Sequence, residues 1–190
     1  MKLCLSVKCP VVRRPYPPGQ KGKRRTRSLS EYGKELREKQ KLRAWYNLQE
    51  RQFKRYAKDI LSLKQRKEDA ATLFIRKLEN RLDNVVFRLG FATSRRQARQ
   101  LISHGHIKVN VRIVDIASFE VRKGDVVGID EKSKSKSVFK DTLVTLKKHQ
   151  PPSWLKLNAE DLKGEVIGQA SLEEAAPPAE VSLIFELYSK

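Results

Sequence analysis

Between Ser94 and Asn110 the chain reads SRRQARQLISHGHIKVN, and its hydrophobic period changes once, at Gly105. Before the glycine, Ala98, Leu101 and Ile102 fall on one face at helical spacing. After it, Ile107, Val109, Val111 and Ile113 alternate with Lys108, Asn110 and Arg112. A period of about 3.6 residues specifies an amphipathic helix and a period of two a half-buried strand. Helix must therefore hand over to sheet within a residue or two of Gly105. Ser94 supplies an N-cap, Gln97 three positions later completes an S-x-x-Q capping box, and Gly105 suits a left-handed C-cap. The fold class is α+β.

Upstream the pattern is helical. Ser30 caps a helix through about Ala44, with Leu36 on its apolar side. Asn47 followed by Glu50 predicts a second start, after which Phe53, Tyr56, Ala57, Ile60 and Leu61 form one apolar stripe opposed by Arg51, Arg55 and Lys58. Leu78, Leu82, Val85, Val86 and Leu89 make another such face, stopped at Gly90, which predicts a helix over 80–91 paired with one over 94–104. Downstream, FEVRKGDVVGI predicts two short strands around a turn at Lys123-Gly124-Asp125. EKSKSKSVFK reads as a charged connector, residues 150–168 as loop with a helical turn from Asn158, and EVSLIFELYSK as a strand or docking tail.

Charge restricts the function. The chain carries 41 Lys and Arg against 22 Asp and Glu, a formal +19. Solubility alone needs a net charge magnitude of only about 2–8 in a small domain, so a polyanionic partner is expected. The excess lies in the first 150 residues, while residues 151–190 are net acidic. Residues 10–29, PVVRRPYPPGQKGKRRTRSL, are too rich in proline for helix and read as a basic extended arm. On the helix that opens the Ser94 stretch, Arg96, Arg99, Gln100 and Ser103 point away from the apolar face, with Arg95 at its edge. Cations in a first helical turn oppose the helix dipole, yet a phosphate there would accept from the free N–H groups, Ser94 and the arginines together. Lys108, Asn110 and Arg112 on the following strand favour that anion site over a merely solvated face.

Other classes are excluded by what is missing. Cys4 and Cys9 are the only cysteines, which points to a reducing compartment, and cytoplasm is the expected location. No apolar run approaches the roughly 18 residues of a membrane span, and the opening MKLCLSVKCP is too broken for a secretory signal. His104, His106 and His149 have no recognisable nucleophile or metal partner, and no phosphate-binding loop or catalytic set stands out. The chain reads as a binder rather than an enzyme, with no cofactor, no small-molecule substrate and no membrane partner.

RLDNVVFRLGFATSRRQARQLISHGHIKVN resembles the small RNA-binding module typified by the small-subunit ribosomal protein S-four family. The resemblance extends over nearly the whole chain, through the arm and first helix in CPVVRRPYPPGQKGKRRTRSLSEYGKELREKQKLR and then through KGDVV, PPSWL and FELYSK in order. It implies a mostly helical first domain with a basic N-terminal extended arm, into which a helix-turn-helix and β-hairpin RNA-binding module is inserted. The implied division is an arm at 1–29, a helical domain at 30–77 completed by the tail 178–190, and an RNA-binding domain at 78–177 with its core module at 80–141. It further implies a structural component of the small subunit that binds small-subunit ribosomal RNA and neighbouring small-subunit proteins. Such a protein helps nucleate subunit assembly and supports translational accuracy close to where messenger RNA enters. On the module, Ser94, Arg95, Arg96, Gln97, Arg99, Gln100, His104, His106, Lys108, Asn110 and Arg112 are the implied RNA contacts. On the arm they are Arg13, Arg14, Tyr16, Lys21, Lys23, Arg24, Arg25 and Arg27. A free-standing RNA chaperone or ribosome-associated stress factor is the alternative, but neither needs the arm or the FELYSK ending.

The chain departs from the family pattern twice. Cys4 and Cys9 match in spacing the second pair of a four-cysteine knuckle, and two thiolates alone do not close a tetrahedral zinc site, so no metal is expected. In VNVRIV, Val111 stands where relatives carry glycine, and a β-branched residue resists a positive φ there, which predicts a distorted or displaced turn at Asn110.

Overall fold

The computed structural model describes Arg14, residues 28–63, residues 68–139, Thr142, Leu146 and residues 149–189. In chain order the described helices are α1 (Glu31–Trp45), α2 (Glu50–Leu61), α3 (Ala70–Glu79), α4 (Leu82–Arg88), α5 (Arg95–Ser103), α6 (Glu131–Lys134), α7 (Leu172–Ala175) and α8 (Val181–Ser189). Between α5 and α6 run strands β1 (Ile107–Val109), β2 (Arg112–Ile113) and β3 (Val126–Ile129), and between α6 and α7 run β4 (Leu155–Asn158) and β5 (Lys163–Val166). The chain forms two compact units, one of Met1–Arg66 with Pro177–Lys190 and one of Lys67–Ala176.

In the first unit, α1 starts where expected: the Ser30 hydroxyl accepts the Gly33 N–H at 3.2 Å. Asn47, however, ends α1 rather than opening α2. It takes φ +53, its N–H reaches the Ala44 carbonyl at 3.1 Å and the Leu48 N–H reaches the Arg43 carbonyl at 3.0 Å. That pair of bonds is the Schellman closure, and asparagine tolerates its left-handed position better than most residues. Gln49 then precedes α2 without a side-chain cap. Phe53, Ala57 and Ile60 are buried along the predicted stripe, with Arg51, Arg55 and Lys58 exposed. The terminal segment is a helix, not a strand. Val181, Ile184, Phe185 and Tyr188 recur at i, i+3, i+4 and i+7, and α8 packs on α1 and α2 with Val181 and Ile184 buried. The Tyr188 hydroxyl donates to Glu50 at 3.3 Å, and Lys39 donates to the same oxygen at 2.6 Å.

The second unit carries a five-stranded antiparallel sheet in the order β2-β1-β3-β5-β4. The face over 78–89 is two helices rather than one. Arg81 is extended and bridges to Glu120, and the Leu82 N–H donates to the Phe119 carbonyl at 2.8 Å, so the chain turns between α3 and α4. All five predicted apolar residues are nonetheless buried. Gly90 follows with φ +83, closing α4 as expected. The stretch 131–139 is ordered structure with Phe139 buried, and residues 150–168 hold the β4–β5 hairpin instead of a loop. Its turn is built by Asn158, whose side-chain oxygen accepts the Glu160 and Asp161 N–H groups at 3.1 and 3.3 Å. Gly164 on β5 faces Leu89 so closely that a Cβ there would lie 2.6 Å from one of its methyl groups. The core of this unit joins α4, α5 and the sheet through Leu82, Val86, Leu101, Ile107, Val127 and Leu155.

Candidate nucleic-acid interface

The expected strand over 107–113 is a two-stranded hairpin. Val109 pairs with Arg112, which leaves Asn110 and Val111 as its two-residue turn. Asn110 alone takes the left-handed conformation, with φ +55. Among the described non-glycine residues only Asn47, Asn110, Leu162 and Ala176 have positive φ, so Val111 escapes the strain that a β-branched residue would meet there. Val111 projects into solvent, 92% exposed. The Asn110 side chain is used within the fold: it donates to Asp125 at 2.9 Å and accepts the Val126 N–H at 2.9 Å. Asp125 also accepts the Arg122 N–H, so the 122–125 turn is held against the hairpin tip. Arg122 and Lys123 on that turn are exposed cations that sequence pattern alone does not single out, although KGDVV marks the turn.

The capping box at α5 is built with a shift of one residue. The Ser94 hydroxyl accepts the Gln97 N–H at 3.2 Å, but the Gln97 side chain accepts from the Thr93 N–H and hydroxyl, at 2.8 and 2.7 Å, rather than from Ser94. Arg95 is not at a solvent edge. It is 7% exposed, its Nε donates to Asn84 Oδ1 at 2.8 Å, and its guanidinium lies 4.6 Å from the centre of the Phe87 ring. The cation that opposes the helix dipole is thus held by a ring face and an amide, and its place is inside the fold. Asn84 in turn donates to Glu79, which receives Arg88 on both carboxylate oxygens at 2.9 and 3.0 Å. A second chain of contacts runs through Asp83, with Arg81 on one side and Arg99 on the other.

These two networks tie four arginines into the fold, Arg99 while keeping 31% of its side chain in solvent. Arg81, Arg88, Arg95 and Arg99 each meet a carboxylate or amide from α3 or α4 or the turn between them. Arg96 and Arg112 are exposed, and among the described residues neither side chain has a hydrogen bond or ion pair. Gln100 and His104 are exposed on the same helix side as Arg96 and at its end. The other predicted strand residues are partly covered. His106 is buried, its Nδ1 lies 3.0 Å from the Ser133 hydroxyl and its ring meets Phe139 edge-on. Burial, with Lys136 and His104 close by and against the pull of Asp130, holds its pKa below the ordinary imidazole value. Lys108 is half-buried, 3.5 Å from Glu131 on α6. Arg14 is exposed, and Arg13, Tyr16, Lys21, Lys23, Arg24, Arg25 and Arg27 lie outside the described residues, as do Cys4 and Cys9.

Two family models match the chain. Residues 80–127 match the S4 domain, which spans α4, α5, the β1–β2 hairpin and the start of β3, and residues 1–79 match the ribosomal protein S4/S9 N-terminal domain. Among curated proteins, the small ribosomal subunit protein uS4 of Thermus thermophilus is 46% identical over 187 residues, which is 98% of this chain and 88% of that protein. The protein of the same description from Caldicellulosiruptor bescii is 48% identical with the same coverage, and that from Kosmotoga olearia 46%.

Proposed function

The chain belongs to the ribosomal protein S4 family, a component of the small ribosomal subunit and not an enzyme, and from that premise we propose that it binds a folded region of small-subunit ribosomal RNA through two basic surfaces. One is the exposed edge of α5 and the hairpin, with Ser94, Arg96, Gln97, Arg99, Gln100, His104, Lys108 and Arg112 facing the RNA and Arg122 and Lys123 beside them. The other is the arm, through Arg13, Arg14, Tyr16, Lys21, Lys23, Arg24, Arg25 and Arg27. Arg95, His106 and Asn110 act within the fold, holding α5 and the hairpin in the shape that the RNA meets.

The observation that carries this reading is the division of labour among neighbouring arginines: the fold engages Arg95 and leaves Arg96 and Arg112 in water. Cations without intramolecular partners release counterions when phosphates replace water, and they select by placement and shape rather than by base identity. A chain that grips separate RNA helices in this way brings them together early in subunit assembly, and its basic surfaces also suit messenger RNA close to where it enters. Its place is the ribosome of the cytoplasm, beside other small-subunit proteins. A free-standing chaperone is not favoured, since relatives match over 98% of the chain and are small-subunit proteins by name.

The test is co-sedimentation of the full chain with equimolar small-subunit and large-subunit ribosomal RNA in competition. Retention on the small-subunit RNA supports the reading, and equal partition between the two RNAs contradicts it.

A further inference from the structure

Asp83 is buried at the start of α4, where one carboxylate serves two guanidinium groups. Arg81 approaches side-on, with Nε 3.0 Å from Oδ1 and Nη2 2.7 Å from Oδ2. Arg99 approaches Oδ2 alone, with Nη2 at 2.8 Å and Nε at 3.3 Å. The Arg81 side chain is enclosed, but that of Arg99 keeps 31% of its surface in solvent. Of the two guanidinium groups on this carboxylate, Arg99 is the one whose side chain reaches solvent and can meet a polyanion.

A guanidinium has five N–H donors in a rigid plane, and two of its edges can hold an oxyanion bidentately. With the Nε/Nη2 edge turned to Asp83, the end formed by Nη1 and the second Nη2 hydrogen is left over. Among the described residues Nη1 has no hydrogen-bond partner. A lysine in this place would spend its single ammonium on the carboxylate and would have no second edge to offer.

We propose that Asp83 is a positioning residue for RNA binding: it anchors Arg99 by the inner edge of its guanidinium, so that the outer edge stands ready as a bidentate clamp for a backbone phosphate. This rests on the RNA-binding reading above and adds to it an oriented fork and the buried acid that orients it. An unanchored arginine loses side-chain freedom when it meets a phosphate, whereas Arg99 has already lost most of it on folding. The carboxylate thereby strengthens binding to a polyanion although its own charge repels one.

That sign makes the proposal testable with the full chain and transcribed small-subunit ribosomal RNA. Affinity is measured for wild type, Arg99→Lys, Arg99→Ala, Asp83→Asn and the double variant Asp83→Asn/Arg99→Ala, with circular dichroism as the check on folding. Arg99→Lys is expected to bind about tenfold more weakly than wild type, close to Arg99→Ala, as for removal of one charge-assisted hydrogen bond. Asp83→Asn is expected to weaken binding although it removes a negative charge, and to add nothing in the Arg99→Ala background. Binding of Arg99→Lys within about twofold of wild type overturns the proposal, as does tighter binding by Asp83→Asn or an additive loss in the double variant. If Asp83→Asn fails to fold, Arg99→Lys decides, because a cation that is not anchored by its inner edge tolerates lysine. Failure of the RNA-binding reading itself looks different: the wild-type chain then shows no preference for this RNA over an unrelated duplex.

Discussion

Arg95 and Arg96 are adjacent and chemically identical, yet the structure assigns them opposite consequences. Replacing Arg95 with alanine removes a charged hydrogen bond to Asn84 at 2.8 Å and a guanidinium stacked 4.6 Å from the Phe87 ring centre. A hydrogen bond with a charged donor contributes about 1.5–3 kcal/mol, and a desolvated cation–π contact about 1–2 kcal/mol. Relief of the desolvation of a buried cation works in the other direction and cancels part of that sum. The net loss expected for Arg95→Ala is about 2–3 kcal/mol, in the range of broken buried networks. Arg96→Ala, exposed and without an intramolecular partner among the described residues, is expected to change stability by no more than about 0.5 kcal/mol. Urea unfolding of both variants, followed by circular dichroism and by amide exchange within α5, reads the difference as a lowered midpoint for Arg95→Ala alone. Equal midpoints, or Arg96→Ala as the more damaging change, would refute the assignment of Arg95 to the interior.

Gly164→Ala forces a Cβ against Leu89, which is fully buried, and is expected to cost about 1–3 kcal/mol in thermal unfolding; an unchanged midpoint would mean that α4 yields at no cost. Asn47→Ala is expected to lose about 1 kcal/mol at the left-handed end of α1, and Asn47→Gly to lose none, read from the same unfolding curves. His106 has its pKa lowered in the fold, so as the pH falls through about 6.5 the unfolded chain takes up this proton before the folded one does. Its contribution to stability is present above that pH and is lost as the pH falls toward the folded pKa, and His106→Gln is expected to flatten that part of the profile. A stability that rises on acidification in this window through His106 would contradict the burial of the neutral ring.

Where one face of an element decides its fate, local pattern is enough to read it. Ser30 and Ser94 announce their helices because a hydroxyl three residues ahead of a free N–H is a purely local device, and the change of period at Gly105 marks the hairpin for the same reason. Local pattern misleads where partners lie far along the chain. Asn47 has the composition of a helix start, and only the path from Arg43 to Leu48 shows that it is a helix end. The β4–β5 hairpin has an exposed, Lys- and Glu-bearing face and a glycine where Leu89 packs, so its pattern resembles a loop. On α5 the helical spacing places Arg95 at an edge because the groups that draw it inward, Asn84 and Phe87, belong to another helix. The signal is present in RLDN, where an acid and an amide directly precede an apolar helix face, but its meaning depends on which arginines fold back onto it. Arg96 and Arg112 are legible because residues that face water need no distant partner to explain them.

The central claim is that the exposed edge of α5 and the hairpin meets RNA phosphates. Its most direct test is the salt dependence of affinity for small-subunit ribosomal RNA, comparing wild type with Arg96→Ala/Arg112→Ala in the full chain. Each phosphate that the protein ceases to neutralise is expected to flatten the log–log slope by about 0.7–0.9, so the double variant should bind more weakly with a slope flatter by about 1.4–1.8 at unchanged fold stability. A variant with wild-type affinity and slope would show that these two arginines stand in solvent on the ribosome as they do in the free chain.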